Sequence, residues 1–204
     1  MQTVNFGDEK IAPSKIVCVG RNYAEHAREL GNDIPDDIVF FVKPNSAISN
    51  RPKAFIDEPL HYEAELCFLI ENNSFAGLGL GLDLTKRALQ SILKEKRLPW
   101  ERAKAFNGAA VFSDFIPLPN SSLEALRFEM SIDGELRQAA GFDMMLNKPE
   151  KILNECSSFM SLQDGDIIMT GTPKGVGKVP PGGLFEGQIF YQDKPILQVT
   201  WLAE

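Results

Sequence analysis

The sequence carries no excess of positive charge: 21 lysines and arginines stand against 28 acidic residues, a formal net charge of −7 over 204 residues. A nucleic-acid binder needs a basic face to neutralise phosphate, so that class is set aside. No apolar run approaches the roughly 18–20 residues needed to cross a bilayer, so no membrane association is expected. Met1 to Lys10 is polar and acidic without an apolar core, and gives no expectation of a secretory signal. Cysteine is scarce: Cys18, Cys67 and Cys156 are widely separated, with no Cys-x-x-Cys spacing. An odd, scattered set reads as buried thiols in a reducing compartment, and the expected location is cytoplasmic. Histidine is scarcer still, so any imidazole chemistry falls to His26 or His61. Internal repeats, low-complexity tracts and charged linkers are absent, which predicts a single catalytic domain over 1–204, with 1–14 a short lead-in.

What is present is ordinary for a globular protein, with 44% apolar and 24% charged residues. Strands are expected at Lys15 to Val19, Val39 to Val42, Glu63 to Ile70 and Asp166 to Thr170. The alternating stretch Gly77 to Asp83 predicts a strand approached closely by another backbone or a ligand. Asp133-Gly134 inside Glu129 to Arg137 is a hairpin signal, and Gln188 to Trp201 reads as a closing hairpin turned at Asp193 to Pro195.

Helices are expected over Leu84 to Lys96 and Asn147 to Leu162. The second has Ile152, Cys156, Phe159 and Met160 on one side and Pro149 in its first turn. A short helix opens with Asn22 as N-cap and Glu25 in a capping box. Tyr23, Ala27 and Leu30 form its apolar stripe and Gly31 its stop. Strands outnumber helices without regular alternation, which predicts an α+β, mainly β fold rather than a doubly wound sheet.

Glu63 and Glu65 share one face of their strand, about 7 Å apart, while Tyr62, Ala64, Leu66 and Phe68 take the other. Two carboxylates so placed repel unless a cation joins them. Asp83 follows at the end of the glycine-rich strand. Three hard oxygen donors without a thiolate suit magnesium, manganese or calcium rather than zinc or copper. Glu-x-Glu also describes a solvated strand face, and Asp83 also fits a helix N-cap, so spacing alone leaves both open.

His26 and Glu29 lie one helical turn apart, where a carboxylate can orient an imidazole that activates water. A solvated surface pair would look the same. Thr170 to Lys178 superficially suggests a phosphate loop, but Thr172 stands where the first glycine is required and Val179 replaces the Ser or Thr. What remains is a tight loop offering backbone N–H groups and the Thr172 hydroxyl to an anion.

The order of these motifs is more specific than any one of them. Val17-Cys18-Val19-Gly20-Arg21-Asn22-Tyr23-Ala24-Glu25-His26 comes first, then Phe41-Val42-Lys43-Pro44 and Glu63-x-Glu65. Gly81-x-Asp83-x-Thr85 and Gly171-Thr172-Pro173-x-Gly175-Val176-Gly177 complete a pattern that closely resembles the fumarylacetoacetate hydrolase family, in particular its short acylpyruvase and oxaloacetate decarboxylase branch. The resemblance implies a mixed β-roll catalytic domain, a homodimer, and magnesium held by Glu63, Glu65 and Asp83. It implies His26 and Glu29 as a catalytic pair on a lid helix, and Lys104 facing the substrate. Gln90 and Thr172 match substrate-contacting positions, and Arg21 and Lys43 are carboxylate contacts. The expected reaction is hydrolysis or decarboxylation of a small 2-oxo acid through an enolate, with a tautomerase or a non-catalytic metabolite-binding protein as alternatives.

Overall fold

The computed structural model describes residues 1–29, 35–119 and 122–204. Its largest sheet is mixed, with strands in the order Val39–Pro44, Lys15–Gly20, Ile167–Met169, Ala64–Glu71, Ser74–Asp83, Ala110–Phe112 and Ile48–Ser49, and Ile116–Pro117 pairing beside Ser74–Asp83. Leu126–Ile132, Glu135–Gly141, Leu184–Tyr191 and Lys194–Leu202 form a second, antiparallel sheet. The four helices among the described residues are short: α1 (Ala24–Glu29), α2 (Arg87–Glu95), α3 (Glu101–Lys104) and α4 (Pro149–Phe159). The fold is α+β and mainly β, as expected.

The central strands read as apolar runs because both of their faces are covered. Leu66, Phe68, Leu80 and Leu82 pack against Phe128, Met130, Phe185 and Ile189 of the second sheet. A fully buried phenylalanine such as Phe128 contributes about 3–5 kcal/mol in such a core. The opposite face gathers Ile16, Cys18, Cys67, Leu69, Ile167 and Met169. Val17, Val19, Ile70 and Ile168 meet Ile152 and Cys156 of α4.

Glycine is required where the sheets and strands crowd. A β-carbon on Gly187 would lie 2.3 Å from Leu80 Cδ2, and one on Gly81 would lie 2.6 Å from Cys67 Sγ. The glycine-rich strand is therefore approached by the side chains of Cys67, Phe112 and Phe115 rather than by another backbone.

Several boundaries differ from expectation. Thr85–Lys86 is extended and pairs with His61 and Leu60, so the helix starts at Arg87, not Leu84. Asp83 is therefore not its N-cap. Asn22 does not cap α1; it is buried and its amide donates to the carbonyls of Asn147 and Thr170, tying two loops together. Leu30, Gly31 and the Ala27 side chain lie outside what is described. Phe159 is 56% exposed and meets Phe40 edge-on, while Pro149, Ile152 and Cys156 are buried and Met160 packs half-buried beside them.

The Asp133-Gly134 turn is present, with φ of 52° and 79°, as a two-residue type I′ hairpin requires. The closing hairpin turns at Gln192-Asp193, and Pro195 sits within the strand. A register shift between Ile189 and Phe190 interrupts the ladder where Pro195, which has no N–H to give, pairs with Phe190.

Candidate active site and metal centre

Antiparallel pairing of Ala64–Glu71 with Ser74–Asp83 sets Ala64 opposite Leu82 and Glu65 opposite Gly81. Glu63 continues this register, its carbonyl accepting from the Asp83 N–H at 2.8 Å. Two glutamates of period two from one strand thus meet the last side chain of its neighbour. Ligand oxygens of Glu63, Glu65 and Asp83 lie within 4.8 Å of one another, and all three residues are buried.

Cations surround this acidic group. Lys104, at the end of α3, places Nζ 3.0 Å from Glu63 Oε2, 2.6 Å from Asp83 Oδ2 and 2.6 Å from Thr85 Oγ1. Arg87 donates to Glu63 and, through Nη1, to Gln90 Oε1 at 2.7 Å. Lys43 is fully buried, with Nζ 2.7 Å from Asp83 Oδ1, and it donates to the Lys104 carbonyl.

Protonation follows these placements. Burial opposes ionisation of Glu63, but Lys104 and Arg87 outweigh it and hold the carboxyl well below its ordinary value. Glu65 goes the other way: burial, then the charges of Asp83 and Glu63, push it well above. Burial works against the Lys104 charge, yet Asp83 and Glu63 raise its pKa and keep it an ammonium.

The donor set fits a divalent cation. Asp83 Oδ1 is buried and accepts no hydrogen bond, since Lys43 is close enough to pair as a charge but not aligned to donate. Glu65 accepts from Gly171 N–H at 2.7 Å through one oxygen only, and its raised pKa records a carboxyl short of positive charge. A hard cation among these oxygens would relieve both. Cys18 and Cys67 are buried and their thiols are pushed well up by burial, so no thiolate competes.

His26 Nδ1 lies 3.3 Å from Glu29 Oε2, and the imidazole is buried. It lines one cleft with Arg21, Glu63, Arg87, Gln90 and Lys104, a narrow cavity of about 30 Å³. The glycine loop does offer N–H groups to anions, but the anions are the protein's own: Gly171 serves Glu65 and Gly175 serves Glu29. Thr172 Oγ1 donates to the Ala64 carbonyl at 2.8 Å and accepts from Gln138 Nε2 at 2.8 Å. Thus His26, Arg21, Gln90 and Lys104 share the cleft, while Lys43 and Thr172 support it from behind.

Arg87, Lys94, Trp100 and Gln138 were not singled out from the sequence. Only Arg87 and Gln90 carried a signal, a donor and an acceptor three residues apart on a helix.

Residues 15–199 match the profile of the fumarylacetoacetate hydrolase C-terminal domain. The chain belongs to the fumarylacetoacetate hydrolase family. Within that family it is 39% identical over 185 residues to the mitochondrial oxaloacetate decarboxylase of Dictyostelium discoideum, covering 82% of this chain and 85% of the relative. It is 36% identical over 186 residues to oxaloacetate tautomerase YcgM of Escherichia coli, covering 83% and 85%. The crystal structure of fumarylpyruvate hydrolase from Pseudomonas aeruginosa, in complex with Mn2+ and pyruvate, superposes with a TM-score of 0.88 at 29% identity, covering 99% of this chain and 95% of that one. Among the described residues no helix is long and apolar enough to cross a membrane.

Proposed function

We propose that this protein catalyses keto–enol exchange of oxaloacetate or a closely related small 2-oxo acid. One observation carries the reading: a His26 imidazole oriented by Glu29 lines the same cleft as the cations around the buried carboxylates. A positioned base beside fixed positive charge is what proton abstraction next to a carbonyl requires. Glu63, Glu65 and Asp83 would hold magnesium, with manganese or calcium as alternatives. When bound, the ion supplies Lewis acidity to the oxygens of the 2-oxo acid.

The chain's own residues do the rest. His26 takes the proton from the carbon beside the 2-oxo group, and the protonated ring or solvent then delivers a proton to the enolate oxygen, so a C–H bond breaks, an O–H bond forms, and no oxidant is needed. Glu29 orients the ring. Lys104, held as an ammonium, sets positive charge against the developing enolate. Arg21 and Gln90 are substrate contacts at the mouth of the cleft. Lys43 holds Asp83, and Thr172 anchors the loop beside Glu65.

Sequence reasoning put C–C cleavage first. Likeness to the Escherichia coli oxaloacetate tautomerase supports the exchange reading, which asks only for a base and a stabilised enolate. Cleavage is the second reading, favoured by the likeness to the Pseudomonas fumarylpyruvate hydrolase. There His26 would activate water for an acylpyruvate, or the enolate would form by loss of carbon dioxide. We further propose one domain, a homodimer, and a cytoplasmic setting, the last supported by three buried free thiols.

The test mixes the magnesium-loaded protein with enol-oxaloacetate, acetylpyruvate and fumarylpyruvate, following enol absorbance and pyruvate release together. Accelerated enol decay without matching pyruvate supports tautomerisation, and stoichiometric pyruvate supports cleavage. No turnover of any of the three would leave a metabolite-binding protein and overturn the enzymatic reading.

A further inference from the structure

Lys94, which lines the cleft together with Arg21, serves none of the roles above. Among the described residues neither forms an ion pair, and Arg21 Nε is buried without a partner. Arg87 and Lys104, by contrast, are committed to Glu63 and Asp83. Surplus positive charge therefore collects at the outer end.

Lys94 is held in place there. Its Nζ sits 5.0 Å from the centre of the Trp100 ring, which itself leans on Phe41 at 6.0 Å. A β-carbon on Gly20 would come within 3.2 Å of that indole, so the wall is closely packed. Burial first, then the charges of Arg21 and Arg87, pull the Lys94 ammonium down to about 8, against the opposing pull of Glu63.

Spacing supplies the geometry. Arg87, Gln90 and Lys94 fall at i, i+3 and i+7, on one face of α2. From Gln90 to Lys94 the helix rises about 6 Å, comparable to the span of a diacid with a chain of about four or five atoms. An acid whose 2-oxo end lies by Arg87 and Gln90 would bring a second carboxylate to Lys94.

We propose that Lys94, backed by Trp100 and joined by Arg21, binds the far carboxylate of the substrate and selects dicarboxylic over monocarboxylic 2-oxo acids. This rests on the 2-oxo acid site proposed above and adds a specificity-determining residue to it. The alternative role for Lys94, a solvated helix side chain, leaves its position over Trp100 without consequence for ligand choice.

The experiment measures equilibrium binding by calorimetry with magnesium present, using two probes that are not turned over. Oxamate carries the 2-oxo acid head alone, and N-oxalylglycine carries that head with a second carboxylate. Lys94→Gln should weaken N-oxalylglycine about tenfold or more, as expected for loss of a charged hydrogen bond, and change oxamate less than about twofold. Lys94→Arg should restore most of the loss. Equal weakening of both probes, or no change in either, would overturn the proposal. If the unaltered protein binds neither probe, the 2-oxo acid reading falls and this inference with it.

Discussion

The main-chain N–H of Gly175 donates to the Glu29 carboxylate, 3.2 Å from Oε1 and 3.3 Å from Oε2. The same Oε2 lies 3.3 Å from His26 Nδ1, so one carboxylate joins the glycine loop to the imidazole. An ion pair of Lys174 with Glu25 at 3.0 Å lies alongside, but both side chains are exposed and it adds little. Gly175 has φ of +96°, and a β-carbon there would fall 2.0 Å from the Arg137 carbonyl oxygen. Gln138 fixes the loop from the sheet side: its amide donates to Thr172 Oγ1 and the Pro173 carbonyl, and its oxygen accepts from Ala64 N–H at 2.9 Å.

Gly175→Ala should therefore displace the loop and let Glu29 drift from His26. Misplacement of about 1 Å can cost roughly 100-fold in rate, and a loss of that order in kcat/KM is expected. Magnesium affinity should hold, because no metal ligand touches Gly175. Unchanged kcat/KM would mean that this N–H does not position the pair.

Glu29→Gln keeps the shape of the side chain and removes its charge. Turnover should fall by about 100-fold or more, the range for loss of an effective general base, while the magnesium dissociation constant moves less than about threefold. Full activity in this variant would remove His26 and Glu29 from the mechanism.

Asp166 gives a prediction about acid stability. Its carboxylate accepts from Ser14 N–H and Oγ, Lys15 N–H and Gln163 N–H, and pairs with Lys15 Nζ at 2.6 Å. Burial opposes ionisation, but these donors hold its pKa below the ordinary value. A depressed folded-state pKa contributes stability above the unfolded value of about 3.9 and loses it as pH falls through the folded value. Asp166→Asn should cost about 1–3 kcal/mol at neutral pH, from the donors left unsatisfied. Denaturant titrations at pH 7 and pH 3 should show the gap between variant and parent narrowing in acid. A constant gap would show that the Asp166 charge is not what stabilises this corner.

Much of this architecture was legible in the residues, for identifiable reasons. Ile16 to Val19 and Leu66 to Ile70 are apolar throughout because both sheet faces are covered. Glu63, Glu65 and Asp83 were findable because period two and antiparallel pairing bring such positions together. Arg87 and Lys94 were missed because single cations on a helix read as a solvated face, and the groups that give them a place, Glu63 and Trp100, come from other segments of the chain. Gln138 gave no signal, since its partners lie 34 residues and more away in sequence. Asn22 has the residue type of a cap, but burial assigned its amide to distant carbonyls instead.

The measurement that reaches the centre of this account is a manganese and magnesium titration of the parent protein and of Glu65→Gln. Glu65 in the metal-free protein is pushed towards its neutral form by burial, Asp83 and Glu63, so a glutamine is a close match there and the variant should fold with an unchanged Tm. The parent should bind one divalent ion per chain and gain thermal stability with ion concentration; Glu65→Gln should bind at least about tenfold more weakly and gain correspondingly less. Equal ion affinity in the two proteins, or none in the parent, would contradict a cation held by Glu63, Glu65 and Asp83.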